Sequence, residues 1–300
     1  MIKEDENIID SIGIFCKRRK YLIFSIVIFT STALLFVDLV DGDWKSLKYS
    51  ITNLSNFFFN DLWPPDWKIL EVPVHNCKSD FVIFCSHGFI GIIDTLKMAF
   101  AATALGFALA LPISILASRN LYDDFVAVPC RLILAAARTL PSLIWAIIFV
   151  IMVGLGAISG VLAMTAYTIG YLGKLQYEAI EGMSNNPLDA ARAMGLSSTE
   201  IVFRVVIPEC ANNLISQLLF MFEYNVRHSS VIGIVGGVGV GYYLKMYLDV
   251  QDYERVMALL ILLFIVVVIV DFISVRARSY FVEEATFRPK ALFGNIFKTK

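Results

Sequence analysis

Four polar side chains in one apolar run are the residues best suited to chemistry: Glu223, Asn225, Arg227 and His228. A guanidinium holds an oxyanion through paired hydrogen bonds, and amide and imidazole groups add further donors. Glu223 and Arg227 are four residues apart, so on a helix they share a face. Ser216 and Ser230 fall near that face, while Asn225 and His228 lie on neighbouring ones. A charge at mid-membrane costs on the order of 2.5–3.5 kcal/mol, so such residues need either a partner or a function. Two readings therefore stand. The pair ties spans together, or Arg227, with Asn225 and His228, lines a path for an anion.

Other chemical motifs lead less far. "GYLGK" (Gly170–Lys174) lacks the spacing of a phosphate loop and follows no strand, so nucleotide hydrolysis is not expected of this chain. "GIVGGVGVG" (Gly233–Gly241) ends an apolar helix instead of joining strand to helix, which argues against a dinucleotide site. It reads as an irregular re-entrant or loop segment near the outer face. "HNCKSDFVIFCSH" sets His75, Cys77, Cys85 and His87 in a near-palindrome. A metal site, a Cys77–Cys85 disulfide in an oxidising space, and no role at all are open, but the spacing matches no common zinc pattern. No nucleophile–base–acid constellation is present, so catalysis is not expected. Asp94 and Lys97, three apart, are suited to pairing with each other.

These residues sit in a chain of 300 residues that is 58% hydrophobic and only 17% charged, outside the range of soluble domains. The net charge of −1 gives no sign of nucleic acid. Residues 1–20, ending in "KRRK", read as a cytoplasmic N-terminus by the positive-inside rule. Residues 21–40 read as a first membrane helix, uncleaved because no small-residue cleavage site follows. Residues 41–87 form a polar, aromatic external loop. Within 88–275 five further spans are expected, at about Gly88–Ala117, Phe125–Val153, Gly160–Leu175, Ala211–Val235 and Val256–Val275. Pro112 is a candidate kink, and the apolar part of the third span is Leu140–Val153. Residues 276–300 form a cytoplasmic tail. Six spans place both termini and the polar segment 178–208 on one side. The fold class is thus all-α and integral to the membrane, with six transmembrane helices.

The polar segment has its own punctuation, "PLDAARAMGLSSTE" (Pro187–Glu200). Asn186 is a good N-cap, Pro187 suits the first helical position, and Asp189 falls in a first turn favourable to acids. Gly195 stands where a left-handed residue ends a helix. Ser197 and Glu200 form a capping box for a second helix, which Pro208 ends or kinks. The expected shape is helix, glycine turn, helix, with Ala190 and Ala191 exposed for close approach by another surface.

This segment resembles the cytoplasmic signature of the import permeases of ATP-binding-cassette (ABC) transporters: Glu-Ala-Ala, Gly six residues after the Glu, then apolar-x-apolar-Pro. Asp189-Ala190-Ala191, Gly195, Val205, Ile207 and Pro208 occupy those positions, with Asp replacing Glu. Arg138–Ala163, Gly170–Met183 and Phe222–Gly241 are similar to the phosphonate/phosphite permeases, over roughly residues 90–275. The resemblance implies the type I importer permease fold, with the short helix as a coupling helix docking on an ATPase. Asp189, Ala190, Ala191, Gly195 and Pro208 would then serve that contact. It further implies two ATPase chains carrying ATP and Mg, an extracytoplasmic solute-binding protein and a second permease copy, with no cofactor in this chain. The cargo it implies is phosphonate or a related phosphorus oxyanion such as phosphite or phosphate. Arg138, before "TLP", has a counterpart in many such permeases whatever their cargo, which favours a structural role. The rival readings are a permease for another small solute such as an amino acid, an ion-driven secondary transporter and a bare membrane anchor. The secondary transporter leaves the Asp189–Pro208 signature unexplained, and the intramembrane charges disfavour the bare anchor.

Overall fold

The computed structural model describes residues 2–40, 44–74 and 81–281. The chain divides into two units, Met1–Asp61 and Leu62–Lys300. In the first, helix α1 covers Ile2–Val40. Its part Arg19–Leu39, 21 residues, is long and apolar enough to cross a membrane. The Ser25 and Thr30 hydroxyls donate to the carbonyls of Tyr21 at 2.8 Å and Ile26 at 2.9 Å, so neither faces an apolar surround unpaired. Helix α2, Trp44–Asn56, and a π-helical turn, Phe57–Leu62, stand where the sequence suggests loop.

The second unit is a bundle. Its helices are α3 (His87–Ala117), α4 (Asp124–Thr139), α5 (Ser142–Val153), α6 (Ala157–Glu181), α7 (Asn185–Ala193), α8 (Ser198–Ile201), α9 (Ile207–Gly236), α10 (Val240–Asp249) and α11 (Tyr253–Phe281). Helix α6 is central and packs on α3, α4, α5 and α9. Small buried residues allow this, among them Gly160, Ala163, Thr168 and Gly170. The α4 backbone comes close at Gly170, where a Cβ would lie 2.6 Å from the Arg138 amide nitrogen and 2.8 Å from the Leu134 carbonyl oxygen.

The structure sharpens the sequence expectations for the spans. Among the described residues, four helices are long and apolar enough to cross a membrane, or five if the bent α4–α5 pair is one span, where the sequence suggests six. The helix that falls short is α6. Neighbours enclose it, so its polar and small faces meet protein and it need not be uniformly apolar. The third span is bent where its apolar part begins: α4 and α5 meet at 89°. Pro141 holds Leu140 in extended backbone, at φ −86° and ψ 132°, which ends α4. Pro208 ends nothing. Ser198–Gly236 runs on through a π-helical turn, Val202–Val206, in which the Ile207 N–H reaches back five residues to the Val202 carbonyl.

Of the Gly233–Gly241 segment, only Gly237–Gly239 is irregular, and the rest is helical. The segment is the end of α9, a short turn and the start of α10, and α10 packs on α3, α9 and α11. The Thr95 hydroxyl accepts from the Val240 N–H at 2.9 Å and secures that entry. Beside it, Asp66 clamps Arg255 of α11 at 3.1 Å, and its N–H donates to the Glu254 carbonyl at 3.1 Å. Burial alone would raise the Asp66 pKa; the Lys68 amide and the Arg255 guanidinium outweigh it and hold the carboxyl below its ordinary value.

Candidate functional site

The polar hairpin takes the shape its residues suggest, with two corrections. Helix α7 starts one residue before Asn186: Ser184, at ψ 142°, is the N-cap, and Pro187 lies within the first turn, where a missing N–H costs nothing. Ala191 is not exposed. With Leu188 it forms the inner face of α7, both fully buried against Ile180, Ile201 and Val206. The spacing of three puts them on one side of the helix, and burying Leu188 contributes about 2 kcal/mol. The outer face presents Asp189, Ala190, Arg192 and, beyond the helix, Met194, which is 71% exposed.

Gly195 adopts φ +77°, and its N–H donates to the Arg192 carbonyl at 2.9 Å. The Ser197 hydroxyl accepts from the Glu200 amide at 3.4 Å, and the Glu200 carboxylate accepts from the Ser197 amide at 3.0 Å. The capping box is complete. A relay ties the hairpin to the bundle: Arg192 donates to the Asn120 carbonyl at 2.5 Å, and Asn120 in turn donates to the Ile180 carbonyl of α6 at 2.8 Å. Pro208 lies at the start of α9, beyond the π-helical turn.

The second site is on α9, where the four candidate residues divide among three faces. Glu223 and Arg227 face α11. Arg227 bonds Glu223 and reaches both carboxylate oxygens of Asp271 at 2.9 Å; Arg278 reaches Glu223 at 3.0 Å. Four charges thus cancel between α9 and α11, with Glu223 12% exposed and Arg227 45%. Asp271 and Arg278 complete this pair from α11, beyond the reach of helical spacing within α9. The signal was there, since Asp271 is the only charge in Val256–Val275 and needs a partner.

Asn225 points inward instead. It is buried and donates to the hydroxyls of Thr103 at 2.9 Å and Thr168 at 3.0 Å, joining α9 to α3 and α6. His228 joins an aromatic column on the third face. Its ring lies 3.9 Å from that of Tyr224, Tyr224 stacks on Tyr167 and Tyr171, and the Tyr224 hydroxyl donates to that of Tyr167 at 3.1 Å. The four-residue spacings 220/224/228 and 167/171 are the sequence signal for this column.

His87 stacks on Tyr243 at 4.6 Å and meets the Tyr247 hydroxyl at 2.8 Å. Cys85 is disulfide-bonded. His75 and Cys77 lie outside the described residues. Among the described residues no group of three or more His, Cys, Asp or Glu could hold a metal ion. Asp94 and Lys97 pair at 3.7 Å.

With this geometry in view, comparison with known proteins is specific. The phosphite transport system permease protein PtxC of Stutzerimonas stutzeri is 37% identical over 191 residues, covering 63% of this chain and 70% of that one. The phosphate-import permease protein PhnE of Mycolicibacterium smegmatis is 34% identical over 192 residues, 64% of this chain and 36% of that one. Among solved structures, a chain of the MetNI methionine ABC transporter in inward-facing conformations aligns with a TM-score of 0.58 at 23% identity. It covers 63% of this chain and 94% of that one, and at that identity the likeness concerns the fold. Residues 90–281 match a single family throughout, and the chain belongs to it: the binding-protein-dependent transport system inner membrane components.

Proposed function

We propose that this chain is the permease subunit of an ATP-driven importer and forms the translocation path for phosphite or a related phosphorus oxyanion. The observation that carries this reading is the hairpin at Asn185–Pro208. It is a short helix fixed to the bundle by its buried face, with Asp189 and Ala190 offered outward beside a left-handed Gly195. A handle of this form lets a neighbouring protein push on α6 and α9 without entering the bundle. The neighbour is an ATPase in the cytoplasm, which holds ATP and Mg; this chain needs no cofactor of its own. ATP binding closes a pair of ATPases, moves the hairpins and turns the spans outward to receive cargo from a solute-binding protein.

Six spans follow if α6 and the α4–α5 pair each cross, and both termini are then cytoplasmic. The chain works as a homodimer. Support comes from α9, whose exposed positions Asn213, Phe220, Arg227 and Ile234 recur every seven residues and leave one stripe uncovered. Arg227 lies on that stripe with a guanidinium edge open, so the path runs between two copies past this residue. The cargo class rests on the relatives, which are named for phosphite and phosphate. Co-purification in mild detergent tests the reading. An ATPase chain is expected to travel with the wild-type protein and to be lost from Ala190→Arg. Capture of no ATPase, or equal capture by both, contradicts it.

A further inference from the structure

A cavity of about 240 Å³ lies between α4 and α6, at the end of the bundle that bears the hairpin. Its polar lining is Arg119, Arg131, Arg138, Lys174 and Tyr177. Three of the four cations have a carboxylate: Arg119 meets Asp124 at 2.8 Å, Lys174 meets Glu178 at 3.4 Å, and Arg131 bonds Glu181. Arg131 is further held by the Ala117 carbonyl at 2.8 Å and lies 4.6 Å over the Tyr177 ring. Arg138 has no ion-pair partner among the described residues. The cavity therefore carries one uncompensated positive charge and several guanidinium and ammonium donors.

Its rim is apolar. Val128 and Leu132 line it, and Phe125, about one turn earlier, extends the same face of α4 beyond it; they are 38%, 64% and 90% exposed. A small free anion has no use for such a wall, whereas an amphiphile fills both parts. We infer that this cavity binds the phosphate of an anionic phospholipid, with the acyl chains lying along Phe125, Val128 and Leu132. Basic pockets between membrane helices suit such headgroups, and the extra charge disfavours a zwitterionic one whose ammonium would meet Arg138. The binding does not depend on the transport reading, which decides only that the leaflet is the cytoplasmic one.

The test is native mass spectrometry of the purified full chain with phosphatidylglycerol or phosphatidylcholine, alongside thermal melting with each lipid and with inorganic phosphate. Wild type is expected to retain phosphatidylglycerol preferentially and to melt higher with it. Arg138→Gln with Lys174→Gln is expected to retain it about tenfold less. Arg138→Lys, which keeps the charge, is expected to retain it. Equal retention of the two lipids overturns the proposal. So does equal retention by wild type and the double glutamine variant. Protection by inorganic phosphate but not by phosphatidylglycerol assigns the cavity to a free oxyanion and overturns the lipid.

Discussion

Arg227 has two carboxylate partners, and Asp271 depends on it more than Glu223 does, because Glu223 keeps Arg278. Arg227→Gln is therefore expected to destabilise the α9–α11 contact by stranding Asp271, and Arg227→Gln with Asp271→Asn is expected to restore thermal stability. Uptake separates the roles. Recovery of transport in the double variant makes Arg227 a purely structural charge, and continued loss despite a restored melting temperature places it on the path. Asn225 is a simpler case. Asn225→Ala removes both hydrogen bonds to Thr103 and Thr168 in a buried site, at an expected cost of about 1–3 kcal/mol, read as a lower melting temperature in detergent. The i,i+4 relation of Glu223 and Arg227 was legible because helical spacing is local. Their completion by Asp271 and Arg278, and the inward turn of Asn225, were not, because they depend on which helices become neighbours.

The hairpin is the element in which sequence and structure agree best, since caps and turns act within a few residues. Gly195 and the Ser197–Glu200 box were readable for that reason. Ala191, exposed by the sequence expectation, is buried because its distance of three from Leu188 puts both on one face. Substitutions on the two faces should therefore part company. Ala190→Arg is expected to leave the melting temperature unchanged while abolishing ATPase capture. Ala191→Leu overfills a fully buried position, at about 1–3 kcal/mol, and is expected to lower the melting temperature first. Gly195→Ala forces a Cβ into left-handed backbone at about 1–2 kcal/mol. At the Asp66–Arg255 clamp, the depressed carboxyl pKa sets the sign of a pH effect. Its stabilisation is present above the ordinary carboxyl value of 3.8 and is lost as pH falls through the lower folded value. Melting from roughly pH 5 to pH 3 should drop more steeply for wild type than for Asp66→Asn.

At the scale of the whole molecule, composition alone was enough to place the chain in a membrane, and the apolar runs located α3, α9 and α11 to within a few residues at most ends. At α6 the apolar signal is weaker than at the other spans for a physical reason. A helix packed on four others keeps small and polar residues such as Gly160, Thr165, Thr168 and Gln176 against protein, and these lower the apolar signal that a lipid-facing helix must show. The joint at Leu140–Pro141 falls where the apolar part of the third span begins, but its right angle depends on packing that the sequence does not show. What these helices are for depends on the claim that another chain's ATP drives them through the hairpin. The most direct measurement is uptake of phosphite into proteoliposomes containing this chain, its ATPase and its binding protein, with and without ATP, for wild type and Ala190→Arg. The account predicts uptake that requires ATP and the binding protein and that vanishes in Ala190→Arg. Uptake driven by an ion gradient without ATP, or undiminished in Ala190→Arg, would contradict it.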